Sequence, residues 1–241
     1  MVPQNGTHVM ILDELFTEDM DRRSFLKGMG AAAAAGATGM AQAHVPTQPA
    51  KKPEPTLQKL SPGAALSKLA KHAIRSGINH PIELSQFLAQ CAAETGNFKD
   101  FVEQGNVHKL AKTYHRAGMG SKNPHEAAKF IGRGFIQLTG KNNYMDAGDD
   151  LHDDPSYYIK HPERISSSVD ESARIAVWYW NKYVKPRVRD FRDTATVTRA
   201  INGQHAHPET IAKRHEYFKA YYNFVQENYA QALGGTTVAS R

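Results

Sequence analysis

The stretch Pro81–Asn106, PIELSQFLAQCAAETGNFKDFVEQGN, holds the reading on which the fold turns. Leu84, Phe87, Leu88 and Cys91 recur at helical spacing and make one apolar stripe. The spacing predicts a helix opened by Pro81 and stopped by Gly96. Glu94 lies three positions after Cys91 and seven after Phe87, on that stripe, in the last turn. A carboxyl group there is desolvated and sits at the negative end of the helix dipole, and both effects disfavour its charged form. A carboxyl that keeps its proton near neutral pH is what a general acid requires. Glu103 lies past the stop in a polar segment with Gln104 and Asn106, where a carboxylate stays ionised and activates water. Two carboxyls in environments that pull their proton affinities apart are the acid/base arrangement of glycoside hydrolysis. The same residues fit a plainer arrangement: a buried ion pair between Glu94 and an arginine, with Glu103 simply solvated.

The segments on either side read as more helix. Ser61-Pro62 is an N-cap and first helical position and Gly77 a stop, which predicts a helix over 62–76. Shorter helices are expected over 107–117 and from Asn123-Pro124 to Phe130. Ser168-Val-Asp-Glu171 is a capping box that launches the core helix SARIAVWYWNKYV, and residues 194–201 and 208–230 complete the set. One segment does not fit. Gly132–Tyr144, GRGFIQLTGKNNY, combines three glycines with an alternating pattern and reads as a short extended segment or irregular loop. The expected fold is mainly α: one helical domain with a cleft, over residues 61–232, followed by a flexible tail at 233–241.

The first 43 residues are not part of that domain. Arg22-Arg-Ser-Phe-Leu-Lys27 is followed by a weakly apolar Ala/Gly run and by Ala41-Gln-Ala43. This order resembles a twin-arginine export signal cleaved after Ala43 and read by the twin-arginine export machinery. The run from Gly28 to Ala41 is too short for an ordinary membrane span, so no stable span is expected. An Ala-rich surface helix is disfavoured by its glycines. A weak, releasable membrane anchor is the remaining alternative. Residues 44–60, with four prolines among charged and polar residues, read as an extended linker.

Of the 241 residues, 40% are hydrophobic and 22% charged, an ordinary balance for a soluble domain. The net charge is +6; residues 1–43 are net −2, which leaves +8 for the remainder. That excess favours polyanionic partners such as nucleic acid, anionic lipid or bacterial wall polymer. No basic block with interleaved aromatics is present, which argues against nucleic acid. His205-Ala-His207 and the scattered histidines lack a metal-ligand pattern, so no metal or other cofactor is called for. Cys91 is the single cysteine and reads as a small core residue. Trp178 and Trp180 read as core packing. A monomer is expected.

AAETGNF, GRGFIQLTGKNNY, VTRAINGQ and KRHEYF, in that order, resemble the catalytic domain of glycoside hydrolase family 19, over residues 61–225. That family comprises chitinases and phage endolysins on a lysozyme-like helical fold. The resemblance implies Glu94 as general acid and Glu103 as base, at the short spacing of the endolysin-like branch. It implies Thr139 as the hydroxyl that orients the attacking water, and Gln137, Asn143 and Asn202 as sugar-binding amides. Arg214 supports the carboxylates through charge pairing, and Tyr144 packs beneath the loop. Two positions depart from many relatives: Ala93 stands where a histidine precedes the acid, and Gln204 where a second glycine follows Ile-Asn-Gly. The implied activity is an exported, inverting glycosidase acting on β-1,4-linked N-acetylated amino sugars. Peptidoglycan is the favoured substrate, chitin its rival within the class, and a catalytically silent wall-binding module the alternative outside it.

The export reading has a direct test. Replacing Arg22 and Arg23 with lysine removes the planar guanidinium forks and leaves the folded chain in the cytoplasm. N-terminal sequencing of the exported wild-type product is expected to read from His44. A double-lysine variant exported as well as the wild type counts against a twin-arginine route.

Overall fold

The computed structural model describes residues 57–106, 109, 112–113, 118–204 and 206–233. The expected signal, most of the expected linker, the tail beyond 233 and most of the expected 107–117 helix lie outside the described residues. The chain is mainly helical, as the sequence predicts. Leu57, assigned to the linker by composition, opens a 3-10 turn (Leu57–Lys59) and is fully buried in the core. An isolated large apolar side chain among prolines gains by folding back onto the domain.

Helix α1 (Pro62–Arg75) starts where its signals place it: the Ser61 hydroxyl accepts the Ala64 N–H, and Pro62 occupies the first turn. Helix α2 (Pro81–Glu94) differs from its sequence reading. Every residue from Glu83 to Ala93 is buried, so the helix is enclosed on all sides rather than amphipathic. It is the central helix, and its polar side chains must find partners inside the protein. Glu83 accepts from Trp180 Nε1 at 3.1 Å and pairs with Lys185. Ser85 donates to the Pro81 carbonyl. Gln86, Gln90 and Glu94 recur every fourth residue along one face, which is the face that decides the site.

The chain then runs through α3 (Pro124–Ala127), shorter than the expected helix to Phe130, and α4 (Lys141–His152). A single turn, α5 (Tyr157–Lys160), leads to α6 (Val169–Tyr179), whose capping box forms as expected: the Ser168 hydroxyl accepts the Glu171 N–H at 3.1 Å. The last turn of α6 widens into a π-helical turn, Trp180–Val184. There Trp180 stacks on Phe191 and meets Phe87 edge-on, a core role, with Trp178 also buried. Helices α7 (Thr194–Asn202) and α8 (Pro208–Tyr229) complete the domain. The long α8 lies along α2, while α1 packs on α6. Among the described residues no helix is long and apolar enough to cross a membrane.

The glycine-rich segment is the irregular piece the sequence anticipates. Arg133 and Leu138 exchange backbone hydrogen bonds in a tight antiparallel bridge, and Arg133 also bridges Val102. Gly134 donates its N–H to the Phe101 carbonyl, and the next N–H, of Phe135, donates to Ser172 Oγ on α6. Gly134 has φ +75°, and a β-carbon there would fall 2.6 Å from Ser172 Oγ and 3.1 Å from the Ile165 carbonyl. Gly134→Ala is therefore expected to cost about 1–3 kcal/mol, from strain and overpacking together. For a domain of this size that is a fall of roughly 2–10 °C in the thermal midpoint, checked by calorimetry. An unchanged midpoint would show that the hairpin does not depend on this close approach.

Candidate active site

The candidate side chains fall into two groups, each assembled by a different part of the fold. The first sits at the C-terminal end of α2. Arg214 of α8 is almost fully buried, and its Nη2 donates to Glu94 Oε1 at 2.5 Å. Its Nη1 donates to Gln90 Oε1, one turn back along α2. The carboxyl group on the stripe is thus ion-paired, as in the plainer of the two sequence arrangements. Its partner is the arginine that the family resemblance implies. The neighbouring Cys91 thiol is pushed well up by burial and by the Glu94 charge, against the opposing pull of Arg214.

The second group forms around Gly132. The Glu103 N–H donates to the Gly132 carbonyl at 2.8 Å, and Gly132 returns its own N–H to Glu103 Oε2 at 2.9 Å. This two-way contact fixes backbone and carboxylate together. A β-carbon on Gly132 would lie 2.9 Å from Gln137 Oε1, 3.2 Å from Thr139 Oγ1 and 3.4 Å from Glu103 Cβ. Glycine at this position is what allows the carboxylate, the amide and the hydroxyl to converge. Gln137 has φ +49° and donates its Nε2 to the Gly134 carbonyl, which turns its Oε1 toward Gly132. Thr139 donates its hydroxyl to the Gln137 carbonyl at 2.8 Å, so the oxygen's lone pairs are left to accept from a ligand or water. Asn143, in the first turn of α4, donates Nδ2 to the Thr139 carbonyl at 2.7 Å.

Tyr144 lies beneath this loop. Its hydroxyl donates to the Ile131 carbonyl at 2.6 Å and accepts from Arg133 Nη1 at 2.7 Å. Burial pushes its hydroxyl up to about 12, against the opposing pull of the Arg133 charge and hydrogen bond and with the Glu103 charge acting in the same direction as burial. Asn202 ends α7, buried, and its Oδ1 has no hydrogen-bond partner among the described residues. A buried acceptor without a donor is costly.

The chain between the two groups is short and unusual. Gly96, Asn97 and Phe98 all have positive φ, at +56°, +60° and +62°. A buried phenylalanine in the left-handed region is strained and persists only when its surroundings fix it. They do so here. Thr95 Oγ1 accepts the Phe98 N–H at 3.0 Å and itself donates to the Cys91 carbonyl. The Phe98 ring meets Phe135 of the glycine-rich segment on one side and Tyr221 of α8 on the other, both edge-on. Tyr221 donates its hydroxyl to Asn97 Oδ1 at 2.6 Å. The turn therefore touches the element that carries Arg214 and the element that carries Gln137 and Thr139.

Comparison with known proteins bears on the export signal and on the family. Residues 19–39 match the family model for the TAT (twin-arginine translocation) pathway signal sequence. A glycosyl hydrolase family 19 domain-containing protein of Haemophilus influenzae is 29% identical over 181 residues, covering 62% of this chain and 86% of its own length. An endochitinase of Arabidopsis thaliana is 32% identical over 50% of this chain.

The chain is a relative of glycoside hydrolase family 19.

It spans 39% of that endochitinase's length. Among solved structures, a family 19, class IV chitinase from Zea mays superposes with a TM-score of 0.49 at 21% identity, over 72% of this chain and 82% of its own. The sequence relatives, rather than the superposition, carry the assignment to glycoside hydrolases. The signal match makes the protein an exported one, bound for the periplasm or the extracellular space.

Sequence reasoning missed the supporting groups Gln90, Gln86 and Thr95. Their signal was present but weak: two glutamines and a threonine on the helix that also carries the most apolar side chains. Metal chemistry was not anticipated, and no cluster of metal-ligating side chains occurs among the described residues. His205 lies outside the described residues.

Proposed function

We propose that the mature domain hydrolyses β-1,4 linkages of N-acetylated amino sugars in peptidoglycan, with inversion at the anomeric carbon and without a cofactor. The observation that carries this reading is the convergence of Glu103, Gln137 and Thr139 on Gly132, together with a second carboxyl, Glu94, held by a buried arginine. The step requires Glu94 to carry a proton on Oε2, the oxygen other than the one Arg214 holds, and to give it to the glycosidic oxygen as the bond from that oxygen to the anomeric carbon breaks. A water molecule donates one hydrogen to Glu103 and the other to the Thr139 oxygen. Its own oxygen bonds to the anomeric carbon from the opposite face as Glu103 takes the proton. The positive charge that develops on the sugar ring is met by the Glu103 carboxylate until it takes the proton of the water, and by Glu94 once it has given up its own. An inverting mechanism needs the two carboxyl groups about 6.5–9.5 Å apart, with room for the water between them.

Several features support peptidoglycan as the substrate. The chain is exported, residues 44–241 carry +8, and bacterial wall polymer is anionic. Gln137, Asn143 and Asn202 supply amides suited to acetamido groups, and the domain acts as a monomer. In this reading the signal is removed after Ala43. Chitin remains a second reading because several relatives are plant endochitinases.

Digestion of purified peptidoglycan and chitin oligomers side by side tests the proposal. Mass spectrometry identifies the new reducing ends, and proton NMR of fresh product reads the anomer. The expected result is wall fragments released with inverted anomeric configuration. Glu94→Gln and Glu103→Gln should each lose at least about 100-fold in kcat while still binding wall polymer, as expected when a group acts mainly in the transition state. Turnover of chitin oligomers alone would make the protein a chitinase. Wall binding by the wild type with no cleavage of either polymer would make it a binding module.

A further inference from the structure

Arg214 is held from behind by a buried chain of amides. Its Nη1 donates to Gln90 Oε1. The Gln90 Nε2 donates to Gln86 Oε1 at 3.3 Å, and the Gln86 Nε2 donates to Thr194 Oγ1 at 2.7 Å. Thr194 Oγ1 in turn lies 3.1 Å from His215 Nδ1, on the helix that carries Arg214. Gln86, Gln90 and Thr194 are all buried. The chain starts at the acid, runs two turns back along α2, crosses to the first residue of α7 and ends on α8.

The direction of this chain matters more than its length. An amide can turn over and exchange its donor for its acceptor. If Gln90 turned over, its NH2 group would face a guanidinium that has only donors. The donor-only guanidinium therefore sets the sense of the chain: Gln90 must present its oxygen to Arg214, its NH2 group then goes to Gln86, and the Gln86 NH2 group goes to the Thr194 oxygen. Thr194 closes the chain as its terminal acceptor. With Gln90 Oε1 holding one terminal nitrogen of Arg214, the other terminal nitrogen is aimed at Glu94.

Resting on the assignment of Glu94 as the acid, we infer that Gln90, buttressed through Gln86 by Thr194, is a positioning residue for catalysis. It shares the arginine with the acid as a neutral partner, so that at this contact the guanidinium meets one carboxyl group, Glu94, and one amide. A second carboxylate in place of Gln90 would compete for Arg214 and would put a like charge beside Glu94. Like charge favours the protonated carboxyl. The other titratable groups that feel Glu94 do not confuse the reading. Cys91 and Tyr179 are both pushed upward, first by burial and then by the Glu94 charge, while Arg214 draws Cys91 back and Arg187 draws Tyr179 back.

The test is the pH dependence of kcat on whichever polymer the wild type cleaves. Gln90→Glu should move the alkaline limb of the kcat profile to higher pH, with KM within about 3-fold of wild type. A role confined to stability would lower the thermal midpoint and leave the limb in place. Thr194→Val, which removes the terminal acceptor, should lower kcat about 10-fold at unchanged KM, and Thr194→Ser should restore it. An unmoved limb in folded Gln90→Glu overturns the inference. If that variant does not fold, wild-type kcat in Thr194→Val overturns it instead. Activity retained by Glu94→Gln would sink the assignment of the acid itself. An inactive Glu94→Gln beside an unmoved limb would sink only the role of Gln90.

Discussion

The ion pair between Glu94 and Arg214 is the interaction around which this domain is arranged. It joins the last turn of the central helix to the longest helix, across 120 positions of chain. Both partners are nearly out of solvent, where an unpaired charge is expensive and a pair is tolerable only if its remaining polar atoms are satisfied. That requirement explains the polar face of α2, which satisfies Arg214 Nη1, while Arg214 Nε is buried with no hydrogen-bond partner among the described residues. A helix enclosed by apolar neighbours carries Gln86 and Gln90 because the arginine needs an acceptor and the acceptor needs to be held in one orientation. Packing of α8 on α2 and placement of the acid are therefore a single structural event.

The left-handed turn at Gly96–Phe98 links this pair to the rest of the candidate site. Three successive residues in a sparsely populated conformation reverse the chain within a short span and let Glu103 reach Gly132. The strain is compensated by local contacts: the Thr95 hydroxyl caps the turn, and the Phe98 ring fills the space between Phe135 and Tyr221. The glycine-rich segment answers from the other side. Its tight bridge turns Gln137 and Thr139 onto the Glu103 side, and the missing side chain at Gly132 leaves them room.

Much of the fold is legible in the sequence because helix boundaries carry local chemical signals. Ser61-Pro62, Pro81, the Ser168–Glu171 box and Pro208 each mark a start that the structure confirms. Helix α4 was not anticipated. Tyr144, Ala147, Gly148 and Leu151 do fall at helical spacing, but Gly148 and the paired aspartates beside it are poor helix formers, and the preceding glycine-rich run dominates the reading. Enclosure of α2 on all sides was also hidden, since periodicity reports which faces are apolar and says nothing of how a polar face is covered. The site shows the same division. Residues named by a contiguous motif, Gln137, Thr139 and Asn143, gather as the motif implies. Gln90 and Thr194, whose roles depend on partners far away in sequence, carry no motif at all.

A double-mutant cycle on the central pair tests the account most directly, with stability measured by denaturant unfolding of the wild type, Arg214→Met, Glu94→Gln and the double variant. Arg214→Met alone should cost about 3–5 kcal/mol, because it strands a buried carboxylate. The double variant should recover a large part of that loss, giving a coupling energy above about 1.5 kcal/mol. Additive losses in the double variant would contradict the account, since they would mean that Arg214 and Glu94 stabilise the domain independently and that the pair does not organise the site.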